Sequence, residues 1–90
     1  MSYIWLKIAK RFLTALAIND HETIGNLISD KLISKYPLDI FGYPIEILDY
    51  SYRGKTVFIE YYSNNKSRIS KIAFDDFGKI NLFKLYDETV

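Results

Sequence analysis

The sequence predicts an α+β domain in which two N-terminal helices pack on a curved antiparallel β-meander of four strands, with room for a short extra edge strand. The N-terminal part repeats apolar residues at helical spacing, whereas the second half consists of four runs rich in β-branched and aromatic residues, separated by turn residues. With 90 residues, of which 49% are hydrophobic, the chain has the size and composition of one domain with a real core. We therefore interpret residues 1–90 as a single domain.

The segment 3–18 has the pattern of an amphipathic helix, and Ser2 is its expected N-cap. Lysine, arginine and threonine occupy one side of this helix. The other side is a broad apolar stripe made of Trp5, Leu6, Ile8, Ala9, Phe12, Leu13, Ala15, Leu16 and Ala17. Because the stripe is broad, we expect the helix to cover a sheet together with a second helix.

The stretch 19–22 interrupts the helical pattern and restarts it. Asn19 followed three residues later by Glu22 fits a capping box, and Asp20 is an alternative N-cap. The second helix is expected to end at about Ser29. Residues 30–36 either extend this helix or form a short edge strand over 31–36; the strand is favoured, and Pro37 stops either element. A connecting loop is expected at 38–44 and a frayed tail at 87–90.

Four strand-like runs make up the meander, and they are 45–53, 55–63, 67–74 and 79–86. Gly54 supplies the positive φ of the first turn, and Asn64 and Asn65 tolerate the left-handed region in the second. Residues 75–78 fit a type I turn followed by a bulge glycine. Three tight turns in a row predict an antiparallel meander.

Turn lengths fix which residues share a face of the sheet. The expected core face carries Leu48, Tyr50, Tyr52, Val57, Ile59, Tyr61, Ile72, Phe74, Ile80 and Leu82. The opposite face mixes apolar and charged residues, namely Ile47, Asp49, Phe58, Glu60, Tyr62, Ile69, Lys71, Ala73, Phe83 and Leu85. One face is thus nearly all apolar, which is the property expected of a core.

The stretch 12–24, FLTALAINDHETI, resembles the opening of NTF2-like proteins, a cystatin-like α+β family, and LISDKL at 27–32 continues the resemblance. The resemblance implies helices packed on a curved sheet, and dimerisation through that sheet. The family includes isomerases, dehydratases and cyclases that use His and Asp, or Tyr and Asp, inside a pocket. None of these catalytic residues carries over to a position of this sequence.

Few side chains here suggest chemistry. The single histidine, His21, stands at a helix start, where the helix dipole disfavours its cation, so we interpret it as a surface residue. Asp49 and Glu60 share the mixed face as an acid/base pair, or Glu60 forms a surface ion pair with Lys71, which we favour. The sequence predicts no catalytic residue, no metal site and no cofactor.

Charge and composition limit the choice of partner. The net charge is +1 and the charges are mixed, which implies neither nucleic acid nor a membrane surface. The N-terminus does not have the pattern of a signal peptide, and no apolar run has the length of a membrane span. The chain has no cysteine, so it forms no disulfide, and we expect it in the cytoplasm.

The mixed face leads to the main functional hypothesis, a non-enzymatic interaction module that forms a homodimer through its open sheet. Phe58 and Phe83 are the expected anchors, and Glu60 and Lys71 are expected to pair across the two-fold axis. The whole predicted interface comprises Ile47, Phe58, Glu60, Tyr62, Ile69, Lys71, Phe83 and Leu85.

Two other functions stay open. One is an NTF2-like enzyme or ligand-binding protein with a pocket between the first helix and the sheet. The residues expected to line that pocket are Trp5, Phe12, Tyr50 and Tyr61. The other is an inhibitor of a host protein, encoded by a phage or a mobile element, which suits a small aromatic-rich chain without catalytic residues.

Overall fold

Helix α1, Ser2–Ala17, buries the apolar stripe expected from its sequence. The computed structural model describes residues 2–33 and 42–87, with the backbone alone at positions 2, 3, 33 and 87. Lys7 and Arg11 face solvent, and Ser2, the expected N-cap, is itself the first helical residue. The members of the stripe that are at most 1% exposed are Leu6, Ala9, Phe12, Leu13 and Leu16.

Asn19 ends the first helix. Its φ of 58° lies in the left-handed region, which asparagine tolerates better than most residues. The backbone N–H of Asn19 donates to the carbonyl of Leu16, and that of Asp20 donates to the carbonyl of Ala15 at 2.9 Å. These two bonds form a Schellman motif, so Asn19 has a different role from the one expected.

Asp20 caps the second helix, α2, which spans His21–Leu27. Its carboxylate accepts hydrogen bonds from the Thr23 hydroxyl at 2.6 Å and from the Thr23 backbone N–H at 3.2 Å. Both bonds, the hydroxyl's first, hold the pKa of Asp20 below its ordinary value. The expected capping box of Asn19 and Glu22 is therefore wrong, and the alternative cap is the one that forms.

The helix ends two residues earlier than expected. Ile28 already has an extended backbone, with φ −98° and ψ 153°, and begins strand β1, Ile28–Ile33. β-branched residues favour this extended conformation. The predicted edge strand therefore exists but starts before residue 31. Its expected end at 34–36, most of the expected loop at 38–44 and the tail at 88–90 lie outside the described residues.

The four strands of the meander are β2, Glu46–Arg53; β3, Thr56–Ser63; β4, Lys66–Phe74; and β5, Ile80–Asp87. All three predicted turns are confirmed. Gly54 has a φ of 58°, and Asn64 and Asn65 have φ values of 52° and 64°. In the third turn Gly78 has a φ of 79° and donates its N–H to the carbonyl of Asp75.

The five strands form one open mixed sheet in the order β1-β5-β4-β3-β2. The meander is antiparallel throughout, and β1 pairs in parallel with β5. β1 and β2 are thus the two edge strands. The fold is α+β with N-terminal helices packed on a sheet, which confirms the predicted class together with its extra edge strand.

The helices cover one face of this sheet and form the core with it. Phe12 of α1 meets Phe83 of β5 edge-on, with ring centroids 5.1 Å apart. Each fully buried aliphatic side chain contributes about 1.5–3 kcal/mol to stability. The sheet residues predicted for the core and found buried are Val57, Ile59, Tyr61, Ile72, Phe74 and Ile80.

A β-bulge at Leu48 changes the faces predicted for β2. Ile47 pairs with Tyr61 and Asp49 pairs with Glu60, so Leu48 is the extra residue between them. Ile47 therefore packs against the core instead of lying on the opposite face, and Leu48 is 48% exposed instead of buried. Both predictions were wrong because the register shifts by one residue at this point.

A second irregularity, at Asn81, does the same in β5. Phe74 pairs with Ile80 and Ala73 pairs with Leu82, which leaves Asn81 as the additional residue. Beyond it the faces exchange: Leu82 lies on the side away from the helices, whereas Phe83 and Leu85 face the core. The predicted positions of Leu82, Phe83 and Leu85 were therefore wrong.

Tyr50 and Tyr52 lie on the predicted side of the sheet but are not buried. They pair with Ile59 and Val57, which face the helices. Their exposures are 46% and 47% because β2 is an edge strand, where few neighbours cover the side chains. The expectation that they are core residues is wrong.

Candidate functional site

The sheet surface away from the helices is the largest candidate site, and we name it the open face. Alternation along β2–β5 and the observed pairing define its members in four rows. The rows are Glu46, Tyr62 and Ser67; then Asp49, Glu60, Ile69 and Tyr86; then Ser51, Phe58, Lys71 and Lys84; and then Arg53, Thr56, Ala73 and Leu82.

Four residues at the middle of this face, the central quartet, alternate in character. Phe58 pairs with Lys71, and Glu60 pairs with Ile69. One diagonal of the quartet, Phe58 to Ile69, is therefore apolar, and the other, Glu60 to Lys71, is charged. All four side chains are half-buried by their neighbours on the sheet.

Lys71 contacts Phe58 and not the carboxylate expected from the sequence. Its Nζ lies 5.9 Å from the centroid of the Phe58 ring, within the range of a cation–π contact. The Glu60 carboxylate accepts a long hydrogen bond, 3.5 Å, from the Ser67 hydroxyl. Lys71 thus lies over the Phe58 ring, and the expected Glu60–Lys71 pair is wrong. An ion pair that does form joins Lys55 and Asp76 at 2.7 Å.

Two shallow hollows flank Phe58 along the strands. One, of about 180 Å³, is bordered by Asp49, Glu60 and Ile69. The other, of about 500 Å³, is bordered by Arg53, Thr56 and Lys71. The first hollow is acidic at its rim and the second is basic, so the face is divided by charge as well as by shape.

Like charges stand directly opposite each other at two places on the open face. Asp49 of β2 pairs with Glu60 of β3, and Lys71 of β4 pairs with Lys84 of β5. Directly opposed like charges destabilise an isolated sheet. We name these the acidic pair and the basic pair; they lie in neighbouring rows, on opposite sides of the quartet.

Of the eight residues predicted for the interface, the structure places five together on the open face and three on the side of the sheet that faces the helices. Phe58, Glu60, Tyr62, Ile69 and Lys71 share the open face. Ile47, Phe83 and Leu85 face the helices instead, and Phe83 is only 1% exposed.

The sequence interpretation missed Leu82, Lys84 and Tyr86, which β5 contributes to the open face. Ile80, Asn81 and Leu82 have the alternation of a regular strand, so no signal in the sequence marks the irregularity at Asn81 that exchanges the faces beyond it.

The aromatic residues expected around a helix–sheet pocket pack against one another. The Trp5 ring lies 4.9 Å from that of Phe74, and Phe12 meets Phe83 as described above. Phe12 and Phe83 are at most 1% exposed. In the part of the chain that the structure describes, side chains fill this layer.

The two tyrosines that were expected to line the pocket, Tyr50 and Tyr61, differ in exposure. Tyr61 is fully buried, whereas Tyr50 lies half-exposed on the edge strand, where Lys10 Nζ stands 5.0 Å from its ring centroid. The structure therefore does not bring Tyr50 and Tyr61 together around one space.

Polar side chains are also buried on the helix side, where the β3–β4 hairpin turns; they are Tyr61, Ser63, Arg68 and Ser70. Arg68 is 6% exposed, and a buried guanidinium requires acceptors or a countercharge. Its burial beside the fully buried Tyr61 and Ser70 fits a structural role for Arg68.

His21 is exposed at the start of α2, as expected.

Among residues 2–33 and 42–87, no three side chains of the metal-binding types come close enough to hold an ion. Neither described helix has the length and hydropathy needed to cross a bilayer.

Comparison of the chain with protein-family models, with curated proteins and with solved structures finds no match. The resemblance to NTF2-like proteins therefore stays a prediction.

Proposed function

We propose that this chain is a non-enzymatic protein-interaction module that self-associates through the open face. The observation that carries the proposal is the uneven cover of the sheet: the helices pack on one side, and on the other Phe58, Tyr62, Ile69 and Leu82 remain among charged residues. Apolar side chains set among charged ones on an uncovered sheet face are typical of the polar and apolar mixture of an interface.

The open face is large enough for a dimer. Four strands spaced about 4.8 Å apart, each rising about 3.3 Å per residue over about eight residues, give a flat area of about 500 Å². Standard interfaces bury about 600–1,000 Å² on each partner. The projecting side chains add accessible area, so one copy of this face reaches the lower end of that range.

A second copy is the partner that the charges favour. The face carries acidic residues at one end and basic residues at the other, and both ends contain like-charged pairs. Another copy of the same face provides the opposite charge for each of them, in an interface where every contact occurs twice.

The filled helix–sheet layer supports a binding module over the NTF2-like enzyme or ligand-binding alternative, because that alternative needs a cavity with convergent polar groups. Trp5 and Phe12 fill the layer, and Tyr50 lies at the sheet edge. The inhibitor alternative uses the same open face, with a host protein in place of the second copy.

The test is sedimentation of three chains: the unmodified protein, Phe58→Glu and Phe77→Glu. Phe77 is the matched control because it is 89% exposed on the third turn, away from the open face. Its backbone N–H bonds to the Asp75 carboxylate at 2.9 Å, so the turn does not depend on its side chain.

We expect the unmodified protein and Phe77→Glu to be dimers, and Phe58→Glu to be a folded monomer with an unchanged far-UV circular dichroism spectrum. A buried aromatic anchor contributes at least about 2 kcal/mol to binding, which is about thirtyfold in Kd. A monomeric unmodified protein at millimolar concentration would contradict self-association and leave the face to a different protein.

A further inference from the structure

The central quartet also contains information about how two copies would be arranged. Resting on the proposed self-association, we infer that the two-fold axis of the dimer runs along the Phe58–Ile69 diagonal of the open face. This assigns the partner of each charged residue and the angle between the two sheets.

Symmetry limits the arrangements. When two identical faces meet about a two-fold axis, the axis lies in the interface plane, and each residue is placed over its mirror position across that axis. The two-fold axis can pass through the quartet in four directions: along the strands, across the strands, or along either diagonal.

An axis along the strands places Glu60 over the second copy's Ile69, and an axis across the strands places Glu60 over its Phe58. Both arrangements bury a carboxylate against an apolar side chain, which is unfavourable. The Glu60–Lys71 diagonal is also unfavourable, because it places Glu60 over Glu60 and Lys71 over Lys71.

The Phe58–Ile69 diagonal satisfies every member of the quartet. Phe58 and Ile69 each meet their own counterpart on the axis. With strands about 4.8 Å apart and alternate residues about 6.7 Å apart, Glu60 comes within about 3 Å, in the plane, of the second copy's Lys71. Apolar surface thus meets apolar surface, and the charged diagonal forms two reciprocal ion pairs.

The acidic and basic pairs, each of which extends one strand beyond the quartet, agree with the same axis. The same construction brings Asp49 within about 3 Å, in the plane, of the second copy's Lys84. The acidic pair of each copy therefore lies over the basic pair of the other, and the repulsion within each pair is offset twice. The strands of the two sheets cross at about 70°, close to the orthogonal class of sheet packing.

One row of the open face distinguishes the four axes. Arg53 and Leu82 lie at opposite ends of the row that also contains Thr56 and Ala73. An axis along or across the strands gives both residues the same copy-to-copy distance. The inferred diagonal passes through Arg53, which is exposed at the rim, where solvent and salt screen its charge from that of its counterpart. This axis gives about 10 Å for Arg53 and about 25 Å for Leu82, when the sheets are about 10 Å apart. The other diagonal reverses this order.

The experiment measures copy-to-copy distances by EPR on dimers of Arg53→Cys and Leu82→Cys that carry a spin label. The chain has no cysteine, so each variant carries one label per copy. We expect a distance at position 53 that is shorter by more than about 10 Å than that at position 82. Equal distances, or the reverse order, would overturn the inferred axis while leaving self-association intact.

A charge-reversal set provides a second measurement that does not depend on labels. Glu60→Lys and Lys71→Glu should each weaken dimerisation at least about tenfold, because each reversal puts like charges together twice. The double variant should recover the unmodified Kd within about threefold. Additive losses in the double variant would overturn the inference, and a monomeric unmodified protein would overturn both the inference and the proposed function.

Discussion

Phe58 and Phe83 are the same residue type in the same sheet, and the structure gives them opposite environments. Phe83 is 1% exposed and meets Phe12 of the first helix, whereas Phe58 lies on the open face beneath the Lys71 ammonium. Phe83 is covered by its own chain, and Phe58 is not. Under the proposed function, fold stability and binding would therefore depend on different faces of one sheet.

The two faces also differ in how they are patterned. The helix side of β3 and β4 presents Val57, Ile59 and Ile72, each fully buried. The open side of the same strands alternates Phe58 and Ile69 with charged neighbours. A covered face needs volume and shape alone, whereas a face that meets a partner in water also needs charges that set its orientation.

The largest effect is expected from truncation of the two phenylalanines. Phe83→Ala should lower the free energy of unfolding by about 3–5 kcal/mol, because it removes a ring from a filled core. Phe58→Ala should change monomer stability far less and weaken dimerisation instead. Denaturant unfolding at low protein concentration measures the first quantity and sedimentation the second. Equal losses of stability would mean that the two faces are not distinct.

The register of the strands near the first two turns, and with it the position of Phe58, could be predicted from the sequence. The turns at Gly54 and at Asn64-Asn65 require glycine and asparagine for positive φ, so the register of β2, β3 and β4 near those turns was predictable. Alternation in β3 and β4 then placed Phe58 and Lys71 on the open side, where the structure has them.

The irregular parts did not follow from the sequence, because two consecutive apolar residues stand at or next to each bulge. Ile47 and Leu48 are both apolar, and so are Leu82 and Phe83, so alternation alone does not decide which one faces the helices. For this reason, the faces predicted for Ile47 on β2 and for Phe83 and Leu85 on β5 were wrong. The early end of α2 was missed because Ile28 suits the apolar stripe of a helix as well as a strand.

A smaller effect on the covered face is expected at Gly78. A Cβ there has space, 3.8 Å from the Trp5 ring, but the φ of 79° strains any L-residue other than glycine. Gly78→Ala should lower the free energy of unfolding by about 1–2 kcal/mol. Gly25→Ala is the matched control in α2, where the added Cβ has no atom within 4 Å apart from its chain neighbours and the adjacent helix backbone, and it should raise stability by about 1 kcal/mol. Thermal unfolding measures both, and the same sign for both would contradict the argument.

The helix layer also responds to pH through Asp20. The pKa of this carboxyl is lowered from 3.8 in the folded chain, first by the Thr23 hydroxyl and then by the Thr23 backbone N–H. A lowered folded pKa means that the stabilisation is present above the unfolded pKa and is lost as the pH falls through the folded one. Asp20→Asn keeps a capping oxygen without the titrating group.

The difference in melting temperature between the unmodified chain and Asp20→Asn should therefore be constant near neutral pH and shrink below about pH 4. The control is a substitution on the open face: replacing the exposed Ser51 should leave this pH dependence of the melting temperature unchanged. A difference that stays constant down to about pH 2 would show that the carboxylate has no special role in the cap.

The smallest effect concerns the basic pair on the open face. In a single copy Lys84 stands directly opposite Lys71, so Lys84→Gln should raise monomer stability by about 0.2–1 kcal/mol. The gain should vanish in about 1 M salt, where the screening length falls to about 3 Å. Lys71→Gln provides the second arm of a double-mutant cycle. Since both changes remove the same repulsion, the double variant should gain no more than Lys84→Gln alone. Additive gains, or a loss of stability for Lys84→Gln at low salt, would show that the two lysines do not repel. Repulsion within the basic pair would then not favour its contact with the acidic residues of a second copy.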